Sequence, residues 1–172
     1  MIGIIPVKKP ARLENKHLLK LGNYSILKII YDKVSSVMEA VIYSKIDLSL
    51  PYVSDRSDNI IDLVLNLSAK YHEFFLIGGD MPFFTIDDLQ LMMGKFSGKI
   101  LVPIHSDRSF EPLFCIYSGN LKKGKSLREV VLQADYIGIT DSLFSKYAFF
   151  NVNTEEDYQR AISIYDSLNK SH

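Results

Sequence analysis

Three short segments of this sequence concentrate residues able to handle phosphate or a hard cation. The first is Lys8-Lys9-Pro10-Ala11-Arg12-Leu13-Glu14-Asn15-Lys16, which sets four cations against one acid. A polyphosphate needs such clustered charge, because each ammonium or guanidinium adds a charge-assisted hydrogen bond. A solvated lysine-rich loop has the same composition, and on residue types alone the two readings are level. The second is Gly78-Gly79-Asp80-Met81-Pro82. Paired glycines admit a close backbone or ligand approach, and a carboxylate beside them can hold a hard cation such as Mg²⁺. A turn in which Asp80 bonds its own backbone is the alternative. The third covers 149–157 and places Asn151 and Asn153 just ahead of Thr154 and Asp157. Thr154 with Asp157 is a capping-box pattern that requires no ligand. Asparagines at a helix start can also orient phosphate or metal-bound water, but residue physics alone favours the cap.

The surrounding pattern supplies elements that can position these segments. Residues 1–7 read as a buried strand, and 8–16 as the loop leaving it. Ser25 caps a helix with apolar positions Ile26, Leu27, Ile30, Val34 and Val37. Strands are predicted at 40–44, 51–54, 73–77, 99–104, 111–117 and 136–140. Helices are predicted at about 59–70, from Thr85 to about Phe96, over 127–134, and after Thr154, where Tyr158, Ala161, Ile162, Tyr165 and Leu168 form a stripe. This alternation implies an α/β fold: a doubly wound, mainly parallel sheet with helices on both faces. In such sheets, ligands bind beyond the carboxyl ends of the strands, where the segments at Lys8 and Asp80 fall.

Composition narrows the function. Lys plus Arg and Asp plus Glu number 20 each, so the net charge is zero. That balance argues against a broad nucleic-acid or membrane-binding surface. Cys115 is the single cysteine, too few for an internal disulfide or a structural zinc site, and its strand context makes it core. No apolar run approaches the roughly 20 residues that span a bilayer. Pro6 and the Lys8-Lys9 pair break up the first apolar stretch, so no signal peptide is expected there. One domain over 1–172, in the cytoplasm, is the expectation. His72 and His105 flank strands without metal-ligand spacing, His172 is terminal, and His17 reads as a loop residue. Asp87 and Asp88 suit a helix N-terminus, and Met92 and Met93 suit the core. The aromatic run over 144–150 is consistent with either an interface or core.

Taken in order, the three segments resemble the molybdenum cofactor guanylyltransferases, the family of molybdopterin-guanine dinucleotide biosynthesis protein A, over nearly the whole chain. Arg12 and Lys16, followed by Lys20-Leu21-Gly22, match the Arg, the Lys and the Leu-x-Gly of its first loop. Asp80-Met81-Pro82-Phe83 is similar to its Cys-Asp-Met-Pro-Phe segment, and Pro112-Leu113-Phe114 with Tyr117 to its Pro-Leu-Phe-x-x-Tyr strand. The segment from Phe149 to Tyr158 resembles its closing Phe-x-Asn-x-Asn-Thr-Pro-Glu-Asp-Leu, which reverses the preference for a cap alone. The chain departs from the family at Ile5-Pro6-Val7-Lys8, where Leu-Ala-Gly-Gly is expected, and at Ser44, where an Asn is expected. The Gly-Pro-Leu expected after the acidic residue at Asp55 is also absent. Ile5-Pro6-Val7-Lys8 and Arg12-Leu13-x-x-Lys16 are similar to the sugar-acid cytidylyltransferases and to the guanylyltransferases of phospholactate and cobinamide phosphate as well.

The resemblance implies a nucleotide-diphospho-sugar transferase-like fold and a Mg²⁺-dependent transfer of GMP from GTP to molybdopterin, with release of pyrophosphate. It implies catalytic roles for Arg12, Lys16 and Asp80. It implies nucleotide contacts from Pro6, Lys8, Lys9, Arg12, Lys16, Asp55 and Asp80, and metal contacts from Asp80 and Asn153, with Asn151 beside them. Lys8 and Lys9 stand where backbone amides would otherwise cradle the phosphates. The alternatives are a related transferase with another acceptor, using GTP or CTP, and a non-catalytic nucleotide-binding protein that lost the glycine loop. A kinase is disfavoured, since no Walker-type loop is present.

Overall fold

The computed structural model describes residues 1–9, 13 and 15–170. Its centre is β1 (Ile2–Val7), an apolar strand whose Ile4 and Ile5 are fully buried. A strand without a polar face needs cover on both sides, and β1 pairs in parallel with β4 (Glu39–Ser44) and β6 (Glu73–Ile77). β4 carries β5 (Val53–Ser54) on its outer side, also parallel. Beyond β6 lies β8 (Phe114–Ser118), antiparallel to it, then β7 (Ile100–Ile104) and the parallel edge strand β9 (Tyr136–Thr140). The seven-stranded order is β5-β4-β1-β6-β8-β7-β9, so only β8 runs against the rest. The sheet is thus mainly parallel, as the alternation of patterns predicts.

Helices cover both faces. One face packs against α1 (Ile26–Ser35), α3 (Ile86–Lys95) and α5 (Glu155–Asn169), through Ile30, Val34, Leu89, Met92, Ala161 and Ile164. The other packs against α2 (Ile60–Tyr71) and α4 (Leu127–Leu132), through Leu63, Val64, Leu67, Val130 and Val131. Each fully buried aliphatic side chain contributes about 1.5–3 kcal/mol, so these two layers dominate the stabilisation. Side chains cap the start of each of these five α-helices. Ser25, Asn59 and Ser126 accept from backbone amides one turn on, and Thr85 with Asp88 and Thr154 with Asp157 form reciprocal capping boxes.

Three local features depart from expectation. A two-stranded hairpin, β2 (Lys20–Leu21) with β3 (Tyr24–Ser25), follows the first loop and was not predicted. Gly22 turns it with φ 61°, and a Cβ there would meet the Tyr165 hydroxyl at 2.6 Å. The strand predicted over 111–117 begins only at Phe114, because 111–113 form a turn closed by Phe114 N to Glu111 O at 3.0 Å. Pro112 has no N–H to give a ladder there. Within 144–150, Phe144 and Ala148 are buried and the remaining aromatics are half-buried, so the run is core on one side only. Cys115 is fully buried, and burial pushes its thiol well above the ordinary range, as befits a core residue. No described helix is long and apolar enough to cross a membrane.

Candidate functional site

The carboxyl ends of β1, β4, β5, β6, β7 and β9 share one edge, and the candidate residues gather there. β6 ends in Ile77, and Gly78-Gly79 turns the chain sharply enough to present Asp80 at that edge. A Cβ on Gly79 would sit 3.0 Å from the Pro6 carbonyl oxygen, so glycine allows the turn to lie against β1. Lys16 opens a one-turn 3-10 helix (Lys16–Leu18) after Asn15, whose φ of 52° is left-handed and tolerated by asparagine. Its ammonium donates to Asp80 Oδ2 and to Asn153 Oδ1, both at 3.0 Å. Three segments separated by 64 and 137 positions thereby meet at one nitrogen.

α5 holds this meeting point in place. Asn153 lies next to the cap residue Thr154, and its own N–H donates to Asp157 Oδ2 at 3.0 Å. Farther along the helix, the Tyr158 hydroxyl donates to Lys20 O at 2.9 Å, tying down the hairpin that follows Lys16. The cap on α5 therefore coexists with the contact from Asn153 to Lys16. Val152 N donates to Asp80 O at 2.9 Å, and Asn151 Nδ2 to Phe149 O at 3.1 Å.

Asp80 Oδ1 is buried and accepts no hydrogen bond among the described residues. A buried carboxylate oxygen without a donor is costly, and its natural partner is a cation or a water on one. The remaining donors suit a hard ion as well: one carboxylate and the Asn153 amide oxygen, which already share an ammonium. Mg²⁺ is commonly held by one or two carboxylates plus substrate phosphates, so this sparse oxygen set fits it. No cluster of three or more His, Cys, Asp or Glu with metal-site geometry occurs among the described residues.

The other sequence candidates lie along the same edge but do not touch this centre. Lys8 and Lys9 follow β1, exposed, without a hydrogen bond or ion pair among the described residues. Pro6 is buried in β1, with its carbonyl against Gly79. Asp55 follows β5, three strands from β6, or about 14 Å at ordinary strand spacing. Its Oδ1 accepts from Ser57 N at 2.9 Å and Ser57 Oγ at 2.5 Å. Arg12 and Glu14 lie outside the described residues, as do His172 and the side chain of His17.

Sequence reasoning missed a cluster beside Asp80. His105 donates or accepts at both ring nitrogens, Nε2 to Glu111 Oε1 at 2.6 Å and Nδ1 to Asp141 Oδ2 at 2.8 Å. Burial opposes charge on the imidazole, but hydrogen bonds and charges from Glu111 and Asp141 outweigh it and hold its pKa above the ordinary value. Burial raises the Glu111 carboxyl, and the negative charge of Asp80 raises it further. The signal was in strand register rather than spacing. Ile104 pairs with Thr140, so the next residues, His105 and Asp141, emerge side by side.

No family model matches the sequence. A probable molybdenum cofactor guanylyltransferase of Methanosarcina mazei is 29% identical over 112 residues, covering 56% of this chain and 50% of that protein. The match thus spans about half the length of the curated relative. Among solved structures, molybdopterin-guanine dinucleotide biosynthesis protein A from Archaeoglobus fulgidus superposes with a TM-score of 0.73, covering 95% of this chain and 99% of that one at 15% identity. Rv0371c from Mycobacterium tuberculosis, solved as a complex with manganese, gives a TM-score of 0.61 over 94% of this chain and 98% of that one at 13% identity. In sequence over about half its length, and in fold over nearly all of it, the chain resembles the molybdenum cofactor guanylyltransferases and molybdopterin-guanine dinucleotide biosynthesis protein A.

Proposed function

We propose that the chain is a nucleotidyltransferase that moves GMP from GTP to molybdopterin. The observation that carries this reading is the convergence of Lys16, Asp80 and Asn153 at the carboxyl edge, with Asp80 Oδ1 buried and unpartnered. A phosphate oxygen of the acceptor forms a bond to the α-phosphorus, the bond to the β-phosphate breaks, and pyrophosphate leaves. The attacking phosphate is already an anion, so positioning and charge stabilisation matter more than a general base. Lys16 exchanges its carboxylate partner for triphosphate oxygens, with Arg12, Lys8 and Lys9 adding charge around the leaving group. Asp80 and Asn153 hold Mg²⁺, which when bound neutralises phosphate charge. The relative named a guanylyltransferase supports the base, and the manganese complex of a fold neighbour supports a divalent cation.

Thermal-shift titration with GTP, CTP, ATP and UTP, each with and without Mg²⁺, tests this reading. A ligand at 100 times its Kd adds about 2.7 kcal/mol of stability. A Mg²⁺-dependent shift with GTP is expected, along with pyrophosphate release when molybdopterin is supplied. Asp80→Asn should remove the Mg²⁺ dependence and lower turnover at least about 100-fold. Preference for CTP would reassign the base. Absence of a shift with any nucleotide would sink the transferase reading.

A further inference from the structure

The turn that presents Asp80 runs from Gly78 to Thr85, and α1 supplies a cation to it. Lys33, in the last turn of α1, donates from Nζ to Pro82 O at 2.7 Å and to Phe84 O at 2.8 Å. Its ammonium also stands 5.3 Å from the centroid of the fully buried Phe84 ring. The side chain is half-buried, where a charged group loses much of its hydration, and the charge of Asp88 offsets only part of that loss. An apolar residue would avoid this cost, so what the amine adds is its donors.

The ends of the turn are tied by other groups. Gly78 N donates to Leu113 O at 2.7 Å, Val152 N to Asp80 O at 2.9 Å, and Thr85 N to Asp88 Oδ2 at 2.7 Å. Between Asp80 and Thr85, Pro82 has no N–H to give, and Lys33 supplies this stretch with two bonds from one nitrogen. Asp80 lies two residues before the first of these carbonyls. A Cβ on Gly78 would sit 3.0 Å from Asp80 Oδ1, the oxygen without a donor, so a small shift of the turn moves that oxygen. We propose that Lys33 is a positioning residue, which holds the Asp80 carboxylate for a divalent cation without touching cation or nucleotide. The cation belongs to the transferase reading, and the proposal rests on that assignment.

Mn²⁺ binding to the full chain by electron paramagnetic resonance, with and without GTP, tests the proposal beside calorimetry with GTP alone. Lys33→Met keeps the length of the stem and removes the donors. It should weaken Mn²⁺ at least about 10-fold while metal-free GTP affinity stays within about twofold. Lys33→Arg, whose guanidinium can again donate to both carbonyls, should return Mn²⁺ affinity to within about threefold of wild type. Lys28→Met removes an exposed charge paired with Asp32 on the same helix, and should change neither ligand. Melting temperatures check folding, and Lys33→Gln takes the place of Lys33→Met, with the same expectation, if the latter does not fold. Unchanged Mn²⁺ affinity in Lys33→Met, or equal losses of Mn²⁺ and metal-free GTP, overturns the proposal. A wild type that binds no Mn²⁺, with GTP or without, overturns it too. Mn²⁺ binding that depends on Lys33 in a chain that ignores every nucleotide would uphold the proposal and sink the transferase reading instead.

Discussion

At Lys16 a single ammonium joins Asp80 and Asn153 at the carboxyl edge of the sheet. It satisfies Asp80 Oδ2 and leaves Oδ1 without a donor among the described residues, so the buried carboxylate is only half-satisfied. Residue type and resemblance pointed to Lys16, Asp80 and Asn153, because Asp80 follows a strand closely and Lys16 ends the basic loop that leaves another. His105 was passed over because its partners are six and 36 positions away, distances no local motif encodes. A titration follows from that cluster. The folded-state pKa of His105 lies above its unfolded value, so the stabilisation is complete below about pH 6.5 and is lost as pH rises through the folded pKa. Glu111, also raised, contributes in the same direction at lower pH. Urea denaturation as a function of pH should show stability declining above about pH 6.5. His105→Gln should flatten that decline, and an unchanged slope would remove His105 as its cause.

Among the elements, helices were easier to read than strands because their ends carry their own chemistry. Thr85 and Thr154 announce capping boxes within four residues, and both are formed. The start of β8 was misplaced because Glu111-Pro112-Leu113 was read as continuous with the strand, whereas Pro112 has no N–H for a ladder and 111–113 turn instead. The cap on α3 also reaches farther than a local reading allows. Buried Asp88 accepts from Thr85 N at 2.7 Å, and from Ser145 N and Oγ at 2.8 and 2.5 Å, fastening α3 to the 144–150 segment. Asp88→Ala should therefore cost about 3 kcal/mol, more than the ~1 kcal/mol of an ordinary cap. A loss within cap range in urea denaturation would show that the Ser145 bonds add nothing. Nearby, Lys33 donates to Pro82 O and Phe84 O at 2.7 and 2.8 Å, and burial, partly offset by Asp88, lowers its pKa to about 8. Its amine should titrate near pH 8 by ¹⁵N NMR, and a midpoint above 10 would contradict that burial.

For the whole molecule, one ring links the central sheet to the aromatic segment beside the candidate site. Phe114, fully buried at the start of β8, meets Phe75, Phe84 and Phe149 at centroid distances of 5.0, 5.4 and 5.7 Å, and Phe144 at 6.0 Å. It thus supports the strand that presents Asp80 on one side and Phe144 and Phe149 of the 144–150 segment on the other. Phe114→Ala removes all these contacts and should cost about 3–5 kcal/mol, a large share of a domain's typical 5–15. Phe114→Leu keeps most of the volume and should cost only about 1–1.5 kcal/mol. The milder variant separates packing from function. Gly78 and Gly79 set the turn at Asp80 through backbone, and the Phe114 ring meets the presenting strand at Phe75. Phe114→Leu should therefore lower the melting temperature while leaving the GTP affinity within about twofold by calorimetry. A loss of GTP affinity of about tenfold or more would mean that the Phe114 ring, and not the turn alone, holds Asp80 in place.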